Sequence, residues 1–317
     1  METVWHGEKV LVTGGAGFIG SHLAEGLSRR GAQVQVLDNF STGLPRNLLG
    51  WGDEAEVLRG DVRSPDDVDR AVRGCTYVFH QAAVASVHRS VEDPVGTSEV
   101  NYGGTLNVLV AAARHRVRRV VVASSSSVYG DPTTSRCAET LPLSTLSPYA
   151  AHKAAGELLA KAFSHSCGLE VVCLRYFNIY GPRQDPHSAY AGVIPLFVDR
   201  LKAGQPVYLF GDGLQTRDFT FVSDVVRANL AAATVEGIAG GTFNVGTGHP
   251  TSIGELAQLL AQLLERPLQV ESRPPRPGDV RHSCADILHT HHMLGFRANV
   301  ALRDGLRETL EWYLGQT

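Results

Sequence analysis

The strongest constraint on the fold is a turn with three evenly spaced glycines, at positions 14, 17 and 20 of this 317-residue chain. The apolar run Val10-Leu11-Val12 before the turn predicts a strand, and the spacing of Leu23 and Leu27 predicts a helix after it. A second apolar run, over 34–37, ends at Asp38. Strand, glycine turn, helix, strand and acid in this order are typical of a dinucleotide-binding unit, because glycine lets the pyrophosphate approach the backbone and the helix N-terminus faces it.

Asp38 indicates which dinucleotide this unit prefers. It lies eighteen residues after Gly20, where a carboxylate accepts hydrogen bonds from the adenosine ribose. A carboxylate there repels a 2′-phosphate, and no arginine directly follows it, so the sequence predicts NAD rather than NADP. Further contacts at the adenosine end are predicted in the polar turn that follows and at the end of the next strand: Asn39, Ser41, Thr42, Gly43, Asp61 and Val62.

Strands and helices continue to alternate along the chain. Apolar runs predict strands over 56–58, 77–80, 120–122 and 170–174, with helices over 66–72, 101–115 and from Ser147 onwards. This alternation predicts an α/β fold with a doubly wound parallel sheet, the Rossmann arrangement, whose ligands lie at the carboxyl ends of the strands. We expect an NAD-binding Rossmann domain over 1–182, with segments at about 220–250 returning to it. Residues 183–317 would form mostly a smaller C-terminal α/β lobe that binds the substrate.

Composition argues against several classes of function. The net charge of −3 gives no electrostatic reason to expect nucleic acid or an anionic membrane as a partner. No apolar run approaches the roughly 18 residues of a membrane span, and the N-terminus, with Glu2 and Glu8, does not look like a signal peptide. The five cysteines have no metal-type spacing, so we expect reduced thiols, no metal site and a cytoplasmic protein.

Tyr149 and Lys153 are the candidate acid–base pair. Ser147 suits a helix cap and Pro148 a first helical position, so these two side chains, four residues apart, would point to one face. A phenol has a pKa of about 10, and a nearby ammonium lowers it because it favours the phenolate. Bringing this pKa near 7 requires roughly 4 kcal/mol, which Lys153 and an oxidised nicotinamide could supply together. The pair alone is also compatible with a solvated helix face.

Three features converge: an NAD-type fold, a serine cluster at one strand end, and Tyr149 with Lys153 on the next helix. Together they resemble the extended short-chain dehydrogenase/reductase family, and within it the UDP-galactose and UDP-N-acetylglucosamine 4-epimerases. The resemblance covers essentially the whole chain. Its motifs are Thr13-Gly14-Gly15-Ala16-Gly17-Phe18-Ile19-Gly20, Asp38-Asn39-Phe40-Ser41-Thr42-Gly43, Ser125-Ser126-Ser127-Val128-Tyr129-Gly130, Ser147-Pro148-Tyr149-x-x-x-Lys153, Arg175-Tyr176-Phe177-Asn178, Gly211-Asp212-Gly213, Arg217-Asp218-Phe219 and Arg276-x-Gly278-Asp279.

The resemblance implies a reversible epimerisation at C4 of a UDP-hexose. Tyr149 would take the proton of the 4-hydroxyl while NAD+ takes the hydride, and the transient 4-keto sugar would turn and accept the hydride on its other face. Lys153 would bond the nicotinamide ribose and lower the pKa of Tyr149, and Ser125 would hydrogen-bond the same oxygen. The cofactor contacts would be Gly14, Gly17, Phe18, Ile19, Gly20, Asp38, Asn39, Ser41, Thr42, Gly43, Asp61, Val62, Gln81, Ala82, Ala83, Asn101, Tyr149, Lys153 and Tyr176.

The substrate contacts implied by the resemblance lie mostly in the second half of the chain. Arg217 and Arg276 would bind the diphosphate, Asp279 the uridine ribose, and Tyr208 would lie beside the uracil. Ser283 stands where galactose-type enzymes carry a bulky aromatic, which leaves room for an N-acetyl group. The full implied set is Ser86, Ser125, Ser126, Tyr149, Asn178, Val193, Tyr208, Arg217, Arg276, Asp279 and Ser283.

Other reactions of the resembled family remain as alternatives. Its 4,6-dehydratases place Asp-Glu where this chain has Ser126-Ser127, and its uronate decarboxylases also commonly carry an acid there. Its uronate 4-epimerases place an arginine about where Asp185 stands, and Asp185 would repel a substrate carboxylate. A non-catalytic NAD-sensing module is the alternative outside enzymes, although that class usually loses the Tyr/Lys pair. Apolar positions on the helices at 101–115 and 147–164 predict, by the same resemblance, a homodimer joined through a four-helix bundle.

Overall fold

The computed structural model describes residues 4–51, 55–185, 192–275 and 280–315. Arg276 and Asp279, two of the predicted substrate contacts, lie outside the described residues. The strands are β1 (Lys9–Thr13), β2 (Gln33–Asp38), β3 (Glu56–Arg59), β4 (Tyr77–His80), β5 (Arg119–Ser125), β6 (Glu170–Tyr176), β7 (Ile179–Tyr180), β8 (Val207–Phe210), β9 (Thr216–Arg217), β10 (Thr220–Phe221), β11 (Thr242–Val245), β12 (Thr251–Ser252), β13 (Val270–Arg273) and β14 (His282–Ser283). The helices are α1 (Phe18–Ser28), α2 (Pro65–Val72), α3 (Val87–Glu92), α4 (Pro94–Ser98), α5 (Gly104–Arg114), α6 (Pro148–Ser166), α7 (Val193–Lys202), α8 (Val222–Thr234), α9 (Ile253–Leu263), α10 (Leu288–Leu294) and α11 (Leu302–Leu314).

Seven parallel strands form the main sheet in the order β11-β6-β5-β4-β1-β2-β3. β1 lies between β2 and β4, so the order of the strands reverses on the two sides of β1. The doubly wound parallel sheet predicted from the sequence is confirmed. In such sheets the crevice outside the carboxyl ends of the strands, at the point of reversal, is the place where ligands bind.

Helices cover both faces of this sheet. On β1, Val10 and Val12 belong to one core cluster and Leu11 to the other, as alternation along a strand requires. α1 and α8 contribute to the first cluster, whereas α2, α5 and α6 contribute to the second. Strands buried on both faces appear as continuous apolar runs, which explains why these strands are visible in the sequence.

The helix that carries the candidate acid–base pair begins where the sequence predicts. The Ser147 side chain accepts a hydrogen bond from Ala150 N, and Pro148 is the first residue of α6. Such a cap typically stabilises a helix by about 1 kcal/mol. The helix expected over 101–115 differs from the prediction, because it starts as one π-helical turn, Glu99–Gly103, and continues as α5. Turns of this kind often occur at functional sites, and this one contains Asn101.

The remaining strands are short and form three small sheets, β7 with β10, β8 with β13, and β9 with β12 and β14. β7, β8 and β10 contribute to a separate apolar core, together with α7, α9 and α11. Strands of two residues show no alternation of apolar and polar positions, so the sequence could not predict them. None of the described helices combines the length and the apolar character needed to cross a bilayer.

Candidate active site

The glycine turn between β1 and α1 fits a pyrophosphate. Gly14 has a φ of +68°, which other residues rarely adopt, and a Cβ added there would lie 2.8 Å from the backbone after β4. A Cβ on Gly20 would lie 2.1 Å from the carbonyl oxygen of Gly14. Gly17 caps α1 without a side-chain hydrogen bond, and the first turn, which begins with Phe18 and Ile19, carries no acid. No side chain therefore caps the N–H groups at this helix end, an arrangement that suits an anion.

Asp38 is held in one orientation at the end of β2. It is 7% exposed, and its carboxylate accepts hydrogen bonds from Ala16 N at 2.9 Å and from Phe40 N at 2.8 Å. A Cβ on Gly43 would lie 2.8 Å from this carboxylate, so glycine is the residue that fits there. The predicted acceptor for the ribose is thus preorganised by the chain itself.

Asn39 and Asp61 join the two segments predicted at the adenosine end. Asn39 Nδ2 donates to Asp61 Oδ2 at 2.9 Å, and Arg63 donates to both oxygens of the same carboxylate at 3.0 and 2.8 Å. The Arg63 guanidinium holds the pKa of Asp61 well below its usual range. Ser41 and Thr42, which are also predicted contacts at this end, are exposed, whereas Val62 is buried.

A chain of hydrogen bonds links the glycine turn to the loop after β4. His80 Nδ1 lies 2.8 Å from Thr13 Oγ1, and His80 Nε2 lies 3.0 Å from Thr105 Oγ1. Thr105 donates its single hydroxyl proton to the carbonyl oxygen of Asn101, so His80 must donate from Nε2 and accept from Thr13 at Nδ1. Burial lowers the pKa of His80 to about 3, and the imidazole is therefore neutral and in one tautomer.

Asn101 fixes the loop 81–84, which carries the predicted contacts Gln81, Ala82 and Ala83. Its side chain accepts from Val84 N at 2.7 Å and donates to the carbonyl oxygen of the same residue at 3.1 Å. The amide of Asn101 is thus occupied by the backbone. Through these two bonds Asn101 shapes the loop that carries three predicted cofactor contacts, and its own contact with the cofactor stays a prediction.

Tyr176 ends β6 in a network that the sequence did not predict in full. Its hydroxyl donates to Gln81 Oε1 at 3.1 Å and accepts from Asn229 Nδ2 at 2.8 Å. Burial raises the pKa of Tyr176 to about 12, so the phenol remains a hydrogen-bond donor. Asn229 lies on α8 and is fully buried. Its only mark in the sequence is that it is an amide among the valines and alanines of this helix.

Tyr149, Lys153 and Ser125 lie together where β5 ends and α6 begins. Lys153 Nζ is 5.9 Å from the centre of the Tyr149 ring and donates to the carbonyl oxygen of Ala123 at 2.7 Å. The side chain of Ser125 forms a hydrogen bond with the Tyr149 hydroxyl and accepts from Ser127 N at 3.2 Å. The structure brings together the three side chains predicted to be catalytic.

Burial shifts the pKa values of Tyr149 and Lys153 in the chain without its cofactor. Burial raises the pKa of Tyr149, and the hydrogen bond with Ser125 offsets only part of this effect. Burial also lowers the pKa of Lys153 to about 8, because a charged amine is poorly solvated at this site. The phenol therefore stays protonated at neutral pH in the chain alone, and the low pKa predicted for Tyr149 from Lys153 together with an oxidised nicotinamide stays a prediction.

Ser90 anchors the predicted base and was not identified from the sequence. Tyr149 N donates to Ser90 Oγ at 3.0 Å, and Ser90 donates to the carbonyl oxygen of Val87 at 2.6 Å. Ser86, a predicted sugar contact, caps the same helix α3 by accepting from Arg89 N at 3.1 Å. This short helix therefore connects a predicted sugar contact with the N-terminus of α6.

Ser126 and Ser127 begin the 3-10 turn that follows β5. Both are half-buried, and Ser127 Oγ has no hydrogen-bond partner within the part of the chain that the structure describes. Neither side chain is an acid, so the two positions where the resembled dehydratases carry a carboxylic acid pair offer hydroxyl groups only. A hydroxyl can bind a sugar, but it cannot protonate a leaving hydroxide as a carboxylic acid can.

The small sheets place several predicted substrate contacts. Arg217 on β9 lies opposite Ser283 on β14, so these two positions are neighbours. Asn178 has a φ of +37° and donates from Nδ2 to the carbonyl oxygen of Asp218 at 3.4 Å. Val193 is the first residue of α7, whose N-terminus has no side-chain cap. A strained backbone and an uncapped helix end are features that ligand sites often use.

Asp218 organises the loops around this region. It is fully buried, and its carboxylate accepts from the backbone N–H groups of Thr247, Gly248 and Ala285 at 2.8, 2.9 and 3.1 Å. In the sequence, Asp218 is recognisable only as part of the motif Arg217-Asp218-Phe219. These hydrogen bonds from backbone N–H groups hold the segments after β11 and β14 next to Arg217.

Tyr208 lies in a more crowded setting than the prediction of a uracil neighbour suggests. The guanidinium carbons of Arg200 and Arg273 lie over its ring, 3.7 and 4.4 Å from the centre. Such contacts arise because the electron-rich face of an aromatic ring attracts cations. A uracil could contact Tyr208 only beside these two side chains or by displacing one of them.

The comparisons with known proteins agree with this geometry. The model of the NAD dependent epimerase/dehydratase family matches residues 10–246. The UDP-glucose 4-epimerase of Mycolicibacterium smegmatis is 40% identical over 96% of this chain and 98% of its own, and the dTDP-glucose 4,6-dehydratase of Streptomyces niveus is 39% identical over 96% and 92%.

Solved structures are similar over nearly the full length. The UDP-glucose 4-epimerase of Thermus thermophilus in complex with NAD has a TM-score of 0.89 and 42% identity, covering 98% of this chain and 100% of its own. The UDP-N-acetylglucosamine 4-epimerase of Methanobrevibacter ruminantium in complex with UDP-N-acetylmuramic acid has a TM-score of 0.94 and 36% identity, covering 98% and 100%. The cofactor predicted from Asp38 and the glycine turn, NAD, is confirmed as that of the family. The chain belongs to the NAD-dependent epimerase/dehydratase family, whose members are enzymes of nucleotide-sugar chemistry.

Proposed function

We propose that this protein is an NAD-dependent UDP-hexose 4-epimerase, an isomerase. The observation that carries the proposal is the grouping of Ser125, Tyr149 and Lys153 where β5 ends and α6 begins, next to Ser126-Ser127 and no acid. The relatives named UDP-glucose 4-epimerases support it. The similar dehydratase of S. niveus does not by itself favour elimination, because the two acids that elimination needs are replaced by serines here.

The chain's own residues account for the proton transfer. Tyr149 removes the proton of the sugar 4-hydroxyl and later returns it to the oxygen of the 4-keto sugar. Ser125 holds the phenol oxygen by its hydrogen bond, and Lys153, anchored on Ala123, keeps a positive charge close to the ring. NAD, held by the glycine turn and Asp38, would supply the acceptor and donor of the C4 hydride, and its oxidised form would add a positive charge near the phenol. One proton moves each way, so no additional acid is required.

We propose two classes of substrate that differ at C2. UDP-glucose and UDP-galactose carry a hydroxyl group there, and UDP-N-acetylglucosamine and UDP-N-acetylgalactosamine carry an N-acetyl group. Ser283, the neighbour of Arg217, is small and leaves space for an acetamido group. The relative of M. ruminantium, named a UDP-N-acetylglucosamine 4-epimerase, supports this breadth. Asp185, which would repel a carboxylate, makes a uronate the less favoured substrate.

Incubation of the purified protein with NAD and each nucleotide sugar tests the proposal. Chromatography and mass spectrometry should find 4-epimers of UDP-glucose and UDP-N-acetylglucosamine with unchanged mass. A product that has lost water or carbon dioxide would indicate a dehydratase or a decarboxylase, and turnover of UDP-glucuronate alone would indicate a uronate epimerase. NAD binding without any turnover would indicate a sensing module and sink the proposed activity.

We also propose a cytoplasmic homodimer. The five cysteines are free thiols and four of them are buried, which suits a reducing compartment. Val110 on α5 and Leu158 on α6 are 51% and 62% exposed, an unusual position for large apolar side chains on two adjacent helices. A four-helix bundle formed by these two helices from each subunit would bury them.

A further inference from the structure

Glu157 is a buried charge that the proposed mechanism leaves without a role. It lies on α6 four residues beyond Lys153 and eight beyond Tyr149, so the three side chains share one face of the helix. Glu157 is 7% exposed. Carboxylates are almost never buried to this extent unless they are paired, so its partners indicate what it does.

The partners of Glu157 come from the two strands that carry the predicted site. Ser124 Oγ donates to Glu157 Oε1 at 2.5 Å, and Arg175 donates to Oε1 at 2.9 Å and to Oε2 at 2.7 Å. Ser124 and Arg175 are register partners on β5 and β6, and each directly precedes a predicted site residue, Ser125 and Tyr176. One carboxylate thus fastens α6 to the ends of both strands.

The charge of Glu157 also affects the pKa of Lys153. Burial disfavours the ammonium of Lys153, and the negative charge of Glu157 favours it. Two other titratable groups face Lys153, Cys173 from β6 and His80 from β4, and burial keeps both neutral because it raises the pKa of the thiol and lowers that of the imidazole. Glu157 therefore supplies the nearby charge that offsets the desolvation of the amine.

The other groups around Arg175 leave its guanidinium available to pair with the Glu157 carboxylate. Its guanidinium carbon lies 4.7 Å from the centre of the Tyr129 ring, and burial keeps this phenol protonated by raising its pKa. Arg175 also donates to the backbone carbonyl of Glu139 at 3.4 Å, while the Glu139 carboxylate accepts from Asn244 N at 2.9 Å. Lys161, on the next turn of α6, is exposed.

We propose that Glu157 is a positioning residue for Tyr149 and Lys153. Its carboxylate holds α6 in register with the ends of β5 and β6, and it keeps a negative charge one helical turn from Lys153. The proposal rests on the proposed function only where activity is measured, because that measurement assumes that the protein is a 4-epimerase. The coupling between the two charges is a property of the folded chain.

A matched pair of variants tests the proposal by activity. Arg119 on β5 and Glu170 on β6 form another ion pair, at the opposite ends of these strands from Ser124 and Arg175, with Nε to Oε2 at 2.8 Å. In Glu157→Gln, kcat for 4-epimerisation should fall about tenfold at neutral pH. The alkaline limb of the pH dependence of kcat should move to lower pH by about one unit, because Lys153 loses its proton more easily. KM for the UDP-sugar should change little. Glu170→Gln should leave the alkaline limb in place.

A second measurement needs no epimerase activity. Lys153→Met removes the buried amine, and its effect on Tm at neutral pH is compared in the Glu157→Gln and Glu170→Gln backgrounds. Lys153→Met should raise Tm by a few degrees more in the Glu157→Gln background, where the ammonium has lost its compensating charge. If Glu157→Gln does not fold, Glu157→Gln/Arg175→Met replaces it in both measurements, since it leaves no unpaired buried guanidinium.

Equal alkaline limbs and equal effects of Lys153→Met in the two backgrounds would overturn the proposal and leave Glu157 with a purely structural role. If the wild-type protein shows no epimerisation at all, the proposed function fails, and the comparison of Tm values still decides the role of Glu157.

Discussion

A phenol that acts as a base must lose its proton at the pH where the enzyme works, and burial opposes this at Tyr149. The side chains around it instead hold the ring in place: Ser125 at the hydroxyl, Ser90 at the backbone N–H, and Lys153 near the ring. At the scale of the residue, the chain therefore positions the phenol, and we propose that the charge of bound NAD+ lowers its pKa further.

Tyr149→Phe should lower kcat for epimerisation by roughly 10³-fold, because it removes the group that moves the proton and little else. NAD affinity and Tm should stay close to those of the wild type. Tyr102→Phe, which removes the hydroxyl of an exposed tyrosine, is the control and should keep full activity. Epimerisation that survives Tyr149→Phe would refute the assignment of the base.

Lys153→Met should stabilise the protein at neutral pH by about 2 kcal/mol, at the expense of activity. The pKa of Lys153 is about 8 in the folded protein, against 10.5 for an ordinary lysine in the unfolded chain. The unfolded chain therefore binds one more proton between these values, and wild-type stability rises with pH through this window. The advantage of the variant should shrink as the pH rises from 8 to 10.5, as measured by thermal unfolding. A constant advantage would contradict the depressed pKa.

At the scale of the element, the strands and helices of the main sheet could be predicted because each buried strand is a continuous apolar run and α6 has a Ser147-Pro148 start. The short strands and the helix α3 could not, since neither shows a periodic pattern. The predicted site shows the same limit. Asn229 and Ser90 matter through partners 53 and 59 residues away in the chain, which no local motif encodes.

The turn between β1 and α1 makes its own prediction. Gly20→Ala would place a Cβ 2.1 Å from the carbonyl oxygen of Gly14, so we expect NAD affinity to fall at least tenfold and stability to fall by about 2 kcal/mol. Gly156→Ala, within α6, meets only ordinary contacts at 3.8 Å and should stabilise the protein by about 0.5–1 kcal/mol. Calorimetric titration with NAD and thermal unfolding measure both variants. Equal effects of the two substitutions would contradict the packing described for the turn.

The hydrogen-bonded chain through His80 joins β1, β4 and α5, and it should make the protein sensitive to acid. Because burial lowers the pKa of His80 from 6.5 to about 3, the unfolded chain takes up the proton first, and stability falls as the pH drops through this range. His80→Asn should lower Tm at neutral pH by breaking the chain, and its Tm should then depend less on pH between 6.5 and 3. An unchanged slope would show that another group causes the acid sensitivity.

At the scale of the whole molecule, we propose that an NAD-binding domain and a smaller lobe, divided near residue 182, meet at the carboxyl ends of the main strands. The separate core of α7, α9 and α11 supports this division. The proposed dimer adds a third surface. Leu158→Glu combined with Val110→Glu should convert a dimer to monomers in analytical ultracentrifugation, whereas Leu49→Glu, at a site 73% exposed, should not. A wild-type protein that sediments as a monomer at micromolar concentration would argue against the dimer.

The most direct measurement follows the hydrogen at C4. UDP-glucose carrying deuterium at C4 is equilibrated with the NAD-loaded enzyme in ordinary water, and the sugars are analysed by NMR and mass spectrometry. The proposed hydride transfer predicts UDP-galactose that retains deuterium at C4 with an unchanged mass. Loss of the deuterium to water, loss of water from the sugar, or the absence of any 4-epimer would contradict it.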